Sequence, residues 1–381
     1  MRVPGAAPQF VIIANSAGLL ARAAVAGNYH PLVIDAYGDQ DTLASALDYR
    51  RLHYIDNKIE AASLFATLQD FDDLYGPLPI LWGSGWEASA HILAALSATR
   101  EVLGSPFRAL SALANPTWYS RSPPGQCLRR FRTTRKPQPA STLFAPALFE
   151  SDTQRDMLVK ARARAGGHAV RTVAGERFLS SRQFFQVRLA GRSISALCVA
   201  DGKTCSILGW SEHVQLQRNT QWPFRYSGAV TMSVLPDERG LREELRVTAK
   251  KLGLVGLFGC DFIENRNGDL SLVDLNPRPP ATTPLHLAQA DMINVHLHPN
   301  HEVFAHQQAA ATAVVYADIP IRITKKIDWP SWTSDIPNEE RTYCSGEPLC
   351  TLWVSAVDTR SAEALLRVRL SKLMAWLEQS G

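Results

Sequence analysis

Apolar and polar positions along this chain follow two different periods, and the points where the period changes mark its elements. Near the start, Phe10-Val-Ile-Ile-Ala14 is a short apolar run, followed by the small turn Asn15-Ser-Ala-Gly18, an Ala/Leu-rich segment to Ala26, Gly27 as a stop, and Pro31-Leu-Val-Ile-Asp35. Two short apolar runs around a helical segment predict strand, helix and parallel strand. The pattern returns at Leu78-Pro-Ile-Leu-Trp82, the turn Gly83-Ser-Gly-Trp-Glu87 and an alanine-rich helix to about Thr99. Residues 1–115 therefore predict an open parallel sheet with covering helices. From 116 to 150 the chain turns to Pro, Ser, Arg and Thr, with prolines at 116, 123, 124, 137, 139 and 146, which predicts a linker or ordered loops. Beyond it, strands are expected at Met157–Lys160, Phe184–Val187, Ile194–Ala200, within the run Gly253–Asn276, at Ala313–Tyr316 and at Thr351–Val354. Helices are expected at about 238–251 and, amphipathic, from Ser361 to Glu378.

Composition narrows the class. With 381 residues, 46% hydrophobic and 20% charged, the chain has material for two or three packed domains and matches no collagen, low-complexity or coiled-coil profile. No apolar run reaches the ~18 residues that cross a bilayer: Phe10–Ala21 is broken by Asn15 and Ser16 and ended by Arg22. Prolines 4 and 8 favour a buried first strand over a signal peptide. Six cysteines with no C-x-x-C pair argue against a zinc site or disulfide framework and suit a reducing, cytoplasmic setting.

Charge changes the picture more. The net charge of +4 hides a block from Arg121 to Arg192 with 15 Lys/Arg against 4 Asp/Glu. Such a block attracts phosphate groups. Nucleic acid is not the expected partner, because only Phe131, Phe144 and Phe149 are available to stack on bases among the arginines.

The strongest chemical signal is the run from Leu257 to Pro280, Leu-Phe-Gly-Cys-Asp-Phe-Ile-Glu-Asn-Arg-Asn-Gly-Asp-Leu-Ser-Leu-Val-Asp-Leu-Asn-Pro-Arg-Pro. Asn267-Gly268 predicts a tight hairpin. Asp274 and Asn276, two apart on the second strand, share a face, and Asp261 on the first strand folds back toward it. Three hard oxygen ligands suit Mg²⁺, which takes the rest of its shell from water and phosphate. Arg278 follows at once, held between two prolines. A second cluster, Met157-Leu-Val-Lys160-Ala-Arg-Ala-Arg-Ala-Gly-Gly-His168, puts a lysine at a strand end and two glycines six residues later, a backbone suited to polyphosphate oxygens.

In this order, lysine strand and glycine loop, then Phe185-Gln-Val-Arg-Leu-Ala-Gly191 with Ser193 and Ser195, then the Asp and D-x-N hairpin, the chain resembles the ATP-grasp superfamily. Gly83-Ser-Gly-Trp-Glu87 at the front and Asp335-Ile-Pro337, Gly346 and Pro348-Leu-Cys-Thr351 at the back are similar to a carboligase-like branch related to biotin carboxylase. Some members of that branch, tyramine–glutamate ligase among them, serve methanofuran and methanopterin one-carbon cofactor pathways. The resemblance implies an α/β chain with an ATP-grasp fold: a Rossmann-like pre-ATP-grasp domain at 1–115, a linker at 116–150, a lid subdomain with glycine loop and adenine hinge at 151–225, and a metal-binding subdomain with C-terminal extension at 226–381. It implies ATP and Mg²⁺, with Mn²⁺ as a substitute. Lys160 would bind the phosphates, Gly166 and Gly167 would form a mobile lid loop, Gln186, Val187 and Leu189 would border the adenine, and Asp261, Asp274 and Asn276 would hold the metal. Arg278 would stabilise a phosphorylated intermediate. Two departures stand out: Val187 where the hinge usually has glutamate, and Asp274 where a longer glutamate is usual. Lys136 and Arg135 are candidates, on charge alone, for an additional phosphate-binding cation.

The implied reaction joins a carboxylate to an amine with ATP, through an acylphosphate, on small-molecule substrates, with glutamate ligation in one-carbon cofactor biosynthesis as the finer expectation. No membrane partner is expected, and a homo-oligomer is left open. The alternative is an ATP-binding regulatory or scaffold protein with a decayed site. His296, His298, His301 and His306 are expected as surface or substrate-pocket histidines rather than a transition-metal site, since no carboxylate or cysteine stands at ligand spacing.

Overall fold

A computed structural model of the chain describes residues 7–115, 118, 133–134, 157–162, 166–167, 169–173, 183–216, 222–302, 308–324 and 327–380. Its first part is a parallel sheet of five strands, in the order Asp48–Arg51, Leu32–Asp35, Val11–Ala14, Ile80–Trp82 and Val102–Leu103. The central strand is buried on both faces, which is why it reads as an unbroken apolar run rather than an alternation. Helices Gly18–Ala26 and Ala90–Ser97 stand where the pattern placed them. The helix Ala61–Tyr75 was not anticipated; it starts at Glu60, whose side chain accepts from the Ser63 amide, and buries Leu64, Leu68 and Phe71 at helical spacing.

All the turns that matter leave the carboxyl ends of these parallel strands, where open α/β sheets place their ligands. The second such turn is fixed by Asp35. Its fully buried carboxylate accepts from the amides of Ala17 (2.7 Å), Tyr37 (2.9 Å) and Gly38 (2.6 Å). Those donors lower a pKa that burial, the larger influence, holds above its usual value.

The second part is a mostly antiparallel sheet of eight strands, ordered Leu270–Asn276, Val255–Glu264, Arg192–Asp201, Cys205–His213, Gly228–Thr231, Ala309–Tyr316, Pro348–Ala356 and Thr333–Ser334. A separate four-stranded sheet holds Val170–Thr172, Met157–Ala161, Gln183–Val187 and Thr133–Thr134. The expected lid boundary at 225 therefore does not coincide with a sheet boundary, because the small sheet ends at Val187 and the large one takes over at Arg192. Three strands of the large sheet, Cys205–His213, Gly228–Thr231 and the two-residue Thr333–Ser334, were not anticipated. The first sets Ser206, Gly209, Ser211, Glu212 and His213 among Ile207, Leu208 and Trp210, so no unbroken hydrophobic run announces it. Most of 116–150 lies outside the described residues.

Helix Leu241–Leu252 lays Leu241, Leu245, Ala249 and Leu252 on this sheet against Phe258 and Leu272. Its ends agree with its dipole: Glu243 and Glu244 sit in the first turn, Lys250 and Lys251 in the last, and Gly253 closes it at φ 67°. The final helix, Thr359–Ser380, packs Ala362, Leu366, Leu373 and Leu377 on the far end of the same sheet. Among the described residues no helix is long and apolar enough to cross a membrane.

His296 corrects one expectation. It is 2% exposed on helix Gln289–Leu297, and its Nδ1 accepts from the Leu257 amide at 3.0 Å, so it is neither a surface nor a pocket residue. His301 lies 3.8 Å from Asp291, His306 is outside the described residues, and no group of three or more His, Cys, Asp or Glu side chains that could hold a metal occurs among those described. Burial holds His296 down at a pKa of about 4. The unfolded chain takes up that proton below 6.5 and the native one does not, so stability is lost as pH falls from 6.5 toward 4. Urea denaturation across that window should show a decline of up to about 1.4 kcal/mol per pH unit from this residue. His296→Gln should flatten that part of the profile, and an unchanged slope would contradict the assignment.

Candidate functional site

The 255–264 and 270–276 strands pair so that Asp261 faces Asp274 directly, with Gly259 opposite Asn276. A register shift after Asp261 leaves Val273 unpaired, and so brings Asp274 into line with it. The Asn276 amide donates to the Asp261 carboxylate at 3.3 Å, and Asp274 accepts from the Leu275 amide at 3.0 Å. The three expected ligands converge. The turn between the strands is wider than a two-residue Asn-Gly hairpin: Gly268 donates to the Asn265 carbonyl at 3.0 Å and takes the left-handed position at φ 80°, while the Asn265 side chain accepts from the amides of Asn267 and Asp269. Two carboxylates and an amide make an open set, which fits Mg²⁺ and not a closed transition-metal cage.

Lys160 meets this hairpin from the small sheet. It sits on strand Met157–Ala161 between Val170 and Phe184. Burial lowers the pKa of its ammonium, and Asp274 and then Asp261 raise it back, so the cation is within electrostatic reach of both carboxylates. Gly166 and Gly167 adopt φ of 72° and 74°. They are docked rather than free: the Gly166 carbonyl accepts from the Tyr226 amide at 3.1 Å, and a Cβ on Gly167 would lie 1.9 Å from the Phe224 carbonyl oxygen. Gln186, 3% exposed, and Val187 face Leu158 and Met157 at the end of the small sheet, and Leu189 lies in the short connection to Arg192.

Arg278 is tied to the first domain. Its guanidinium donates to the Glu87 carboxylate at 2.9 and 3.2 Å and to the Asn276 side-chain oxygen at 3.3 Å. Glu87 ends the Gly83–Glu87 turn and also accepts from the Gly85 amide at 3.1 Å, so this turn fixes where the arginine points.

Two residues at this site went unread in the sequence. His213, at the end of the 205–213 strand, holds Nε2 4.0 Å from Asp261 and is braced by the hydroxyls of Ser193 (3.1 Å) and Ser195. Tyr226 stacks edge-on to His213 with ring centres 5.5 Å apart, and its buried hydroxyl has no hydrogen-bond partner among the described residues. Neither lies in a motif; only the alternation of a weakly apolar strand could have pointed to His213. Of the basic block, Arg162 has a buried Nε without a partner among the described residues, Arg192 is paired with Glu264 and Glu212, and Arg135, Lys136, Arg164 and Arg182 lie outside the described residues.

Beside Arg278 opens a cavity of about 390 Å³. Asn15, Tyr37 and Asp39 wall it from the parallel-strand ends, Pro279 and Ala281 from the exit of the hairpin, and Tyr316 from the large sheet.

A family model described as an ATP-grasp domain matches residues 126–282. Among solved structures, a biotin carboxylase from Campylobacter jejuni is similar over 93% of this chain and 89% of its own, at 15% identity and a TM-score of 0.67. The biotin carboxylase domain of the Hydrogenobacter thermophilus 2-oxoglutarate carboxylase, solved with MgADP and bicarbonate, covers 94% and 89% at 12% identity and the same TM-score of 0.67. N5-carboxyaminoimidazole synthetase from Staphylococcus aureus covers 96% and 98% at 13% identity and a TM-score of 0.65. No curated protein matches the sequence. At these identities the likeness gives the fold, and the fold is ATP-grasp with a Rossmann-like parallel sheet in front.

If the hairpin carries the metal, Mg²⁺·ATP should raise the melting temperature of the wild-type chain by mass action. Asp261→Asn and Asp274→Asn should each cut that rise by at least about half, which is a severalfold loss of affinity, with circular dichroism unchanged. A full rise in both variants would place the metal elsewhere.

Proposed function

We propose, with the ATP-grasp fold as the premise, that this chain is an ATP-dependent carboxylate–amine ligase. The observation that carries the reading is Lys160 on the small sheet within electrostatic reach of Asp261 and Asp274, which pair across the hairpin of the large one. A polyphosphate chain with a divalent cation complements both. Mg²⁺, or Mn²⁺ in its place, would be held by Asp261, Asp274 and Asn276 and would neutralise charge on the phosphate oxygens.

The protein's own groups then have defined tasks. Lys160 binds phosphate oxygens, and the docked Gly166–Gly167 backbone keeps water from the phosphates. Gln186, Val187 and Leu189, at the junction of the two sheets, are assigned to the adenine. A carboxylate oxygen of the substrate attacks the γ-phosphorus and ADP departs, which gives an acylphosphate. The amine nitrogen then attacks the acyl carbon, the phosphate leaves with the bonding pair, and the nitrogen loses a proton. Arg278, at the mouth of the cavity, is placed to bind the carboxylate and then the acylphosphate, and its bridge to Glu87 holds it in position.

The finer reading, glutamate ligation in one-carbon cofactor biosynthesis, draws its support from the resemblance of the terminal motifs and from the arginine-rich middle segment. The second reading, a nucleotide-binding regulatory protein, is favoured by Val187, which offers the adenine no carboxylate.

ADP release should require a carboxylate and an amine together, and hydroxylamine in place of the amine should trap the acylphosphate as a hydroxamate. Lys160→Gln should lower kcat/KM at least about 100-fold. Tight nucleotide binding with no ADP release and no hydroxamate across a broad panel would favour the regulatory reading.

A further inference from the structure

A buried polar atom without a hydrogen-bond partner costs a fold stability, so each one in a native chain calls for a reason. Among the described residues these atoms include the hydroxyls of Thr42, Tyr54, Tyr226 and Thr282. Tyr226 is the one of the four that lines the cavity beside Arg278. It has little freedom to turn away and find a partner. Its amide donates to the Gly166 carbonyl at 3.1 Å, its carbonyl accepts from the Tyr316 hydroxyl at 3.0 Å, and the next side chain, Ser227, donates to the Val214 carbonyl at 2.9 Å. The ring itself stands at 86° to that of His213.

A phenol fixed in this way is a donor that lacks an acceptor. Burial, and after it Tyr316 and Asp261, holds its pKa above the ordinary tyrosine value, so the proton stays on the oxygen. The influence of Asp261 puts the hydroxyl within electrostatic reach of the carboxylate hairpin, and its place in the cavity lining puts it in the same chamber as Arg278. Tyr226 therefore stands at the border between the two. On the ligase reading this border is where the acyl carbon must lie, because the carboxylate that Arg278 binds has to reach the γ-phosphorus held over Asp261 and Asp274. When the amine nitrogen attacks that carbon, the carbonyl π pair moves onto the acyl oxygen and creates a charge that the acylphosphate did not carry there. Lys160 is committed to phosphate oxygens and does not serve it. A preformed donor with no partner in the resting chain stabilises such a charge without reorganisation.

We propose that the Tyr226 hydroxyl is a catalytic group that donates a hydrogen bond to the acyl oxygen as the amine adds. The phenol keeps its proton throughout. The oxyanion collapses back to a carbonyl, the C–O bond to phosphate breaks with its pair on the phosphate, and the nitrogen loses a proton to solvent. The role rests on the ligase reading, whereas the unmatched hydroxyl stands on the structure alone, and each has its own readout.

The test compares the full wild-type chain with Tyr226→Phe. Without ligands the variant should melt about 2 °C or more above the wild type, because an unpaired buried hydroxyl has been removed. An equal or lower melting temperature would mean that the hydroxyl has a partner, and would overturn the proposal. With Mg²⁺, L-glutamate (or whichever carboxylate of the panel yields a hydroxamate) and ATP carrying heavy oxygen at the β,γ-bridge, both proteins should scramble the label at the same rate, since phosphoryl transfer does not use the group. Amide formation from the same carboxylate and ammonium should fall about 100-fold or more in kcat in the variant, with the KM for ATP unchanged. Equal amide formation, or scrambling lost together with it, would overturn the role and leave the ligase reading in place. No hydroxamate from any carboxylate in the wild type would overturn the ligase reading and the role with it, even where the melting temperature rises as expected.

Discussion

The structure depends on one electrostatic opposition: the Lys160 ammonium on one sheet against the Asp261 and Asp274 carboxylates on another. Burial works against the Lys160 charge, and the two acids relieve it only partially, since the ammonium remains depressed despite both. An arrangement of that kind is incomplete without something that carries anionic oxygens to the lysine and a cation to the carboxylates. A metal-bound polyphosphate is such a ligand, and the rest of the chain can be understood as the apparatus that holds the two walls at the right separation.

Three contacts do this. The register shift after Asp261 aligns Asp274 and keeps Asn276 on the same face. The 222–226 segment receives the glycine loop through the Tyr226 amide, and Arg225 within it lies over the Tyr316 ring at 3.4 Å and donates to the Gly346 carbonyl at 3.0 Å. The Gly166–Gly167 loop is thereby anchored to the same sheet that walls the cavity. Finally the Arg278–Glu87 bridge ties the exit of the hairpin to a turn of the parallel sheet, so that the carboxylate hairpin and the cavity share one frame.

Elements with a single strong period were legible in the sequence. The buried strands Val11–Ala14 and Leu32–Asp35 announced themselves by unbroken apolar runs, and the D-x-N spacing alone put Asp274 and Asn276 on one face. What was missed has physical reasons. The 205–213 strand shows neither an unbroken apolar run nor a clean alternation, so His213 could not be placed beside Asp261. His296 sits two residues from His298 and seemed to belong with it, but a helix turns the two apart and only His296 goes into the core. Residues 335–337 could not be placed for another reason: they meet helix Gln40–Ser45 through the Asp41 carboxylate and the Gln40 amide, a contact across almost 300 residues that no local pattern announces.

The most direct test of the central opposition is a crystal structure with Mn²⁺ and a non-hydrolysable ATP analogue, read from the anomalous signal of the metal. The account predicts one or two peaks within coordination distance of Asp261, Asp274 and Asn276, with the Lys160 ammonium on a phosphate oxygen of the same nucleotide. A nucleotide bound with its phosphates away from Lys160, or a metal peak that touches neither aspartate, would contradict it.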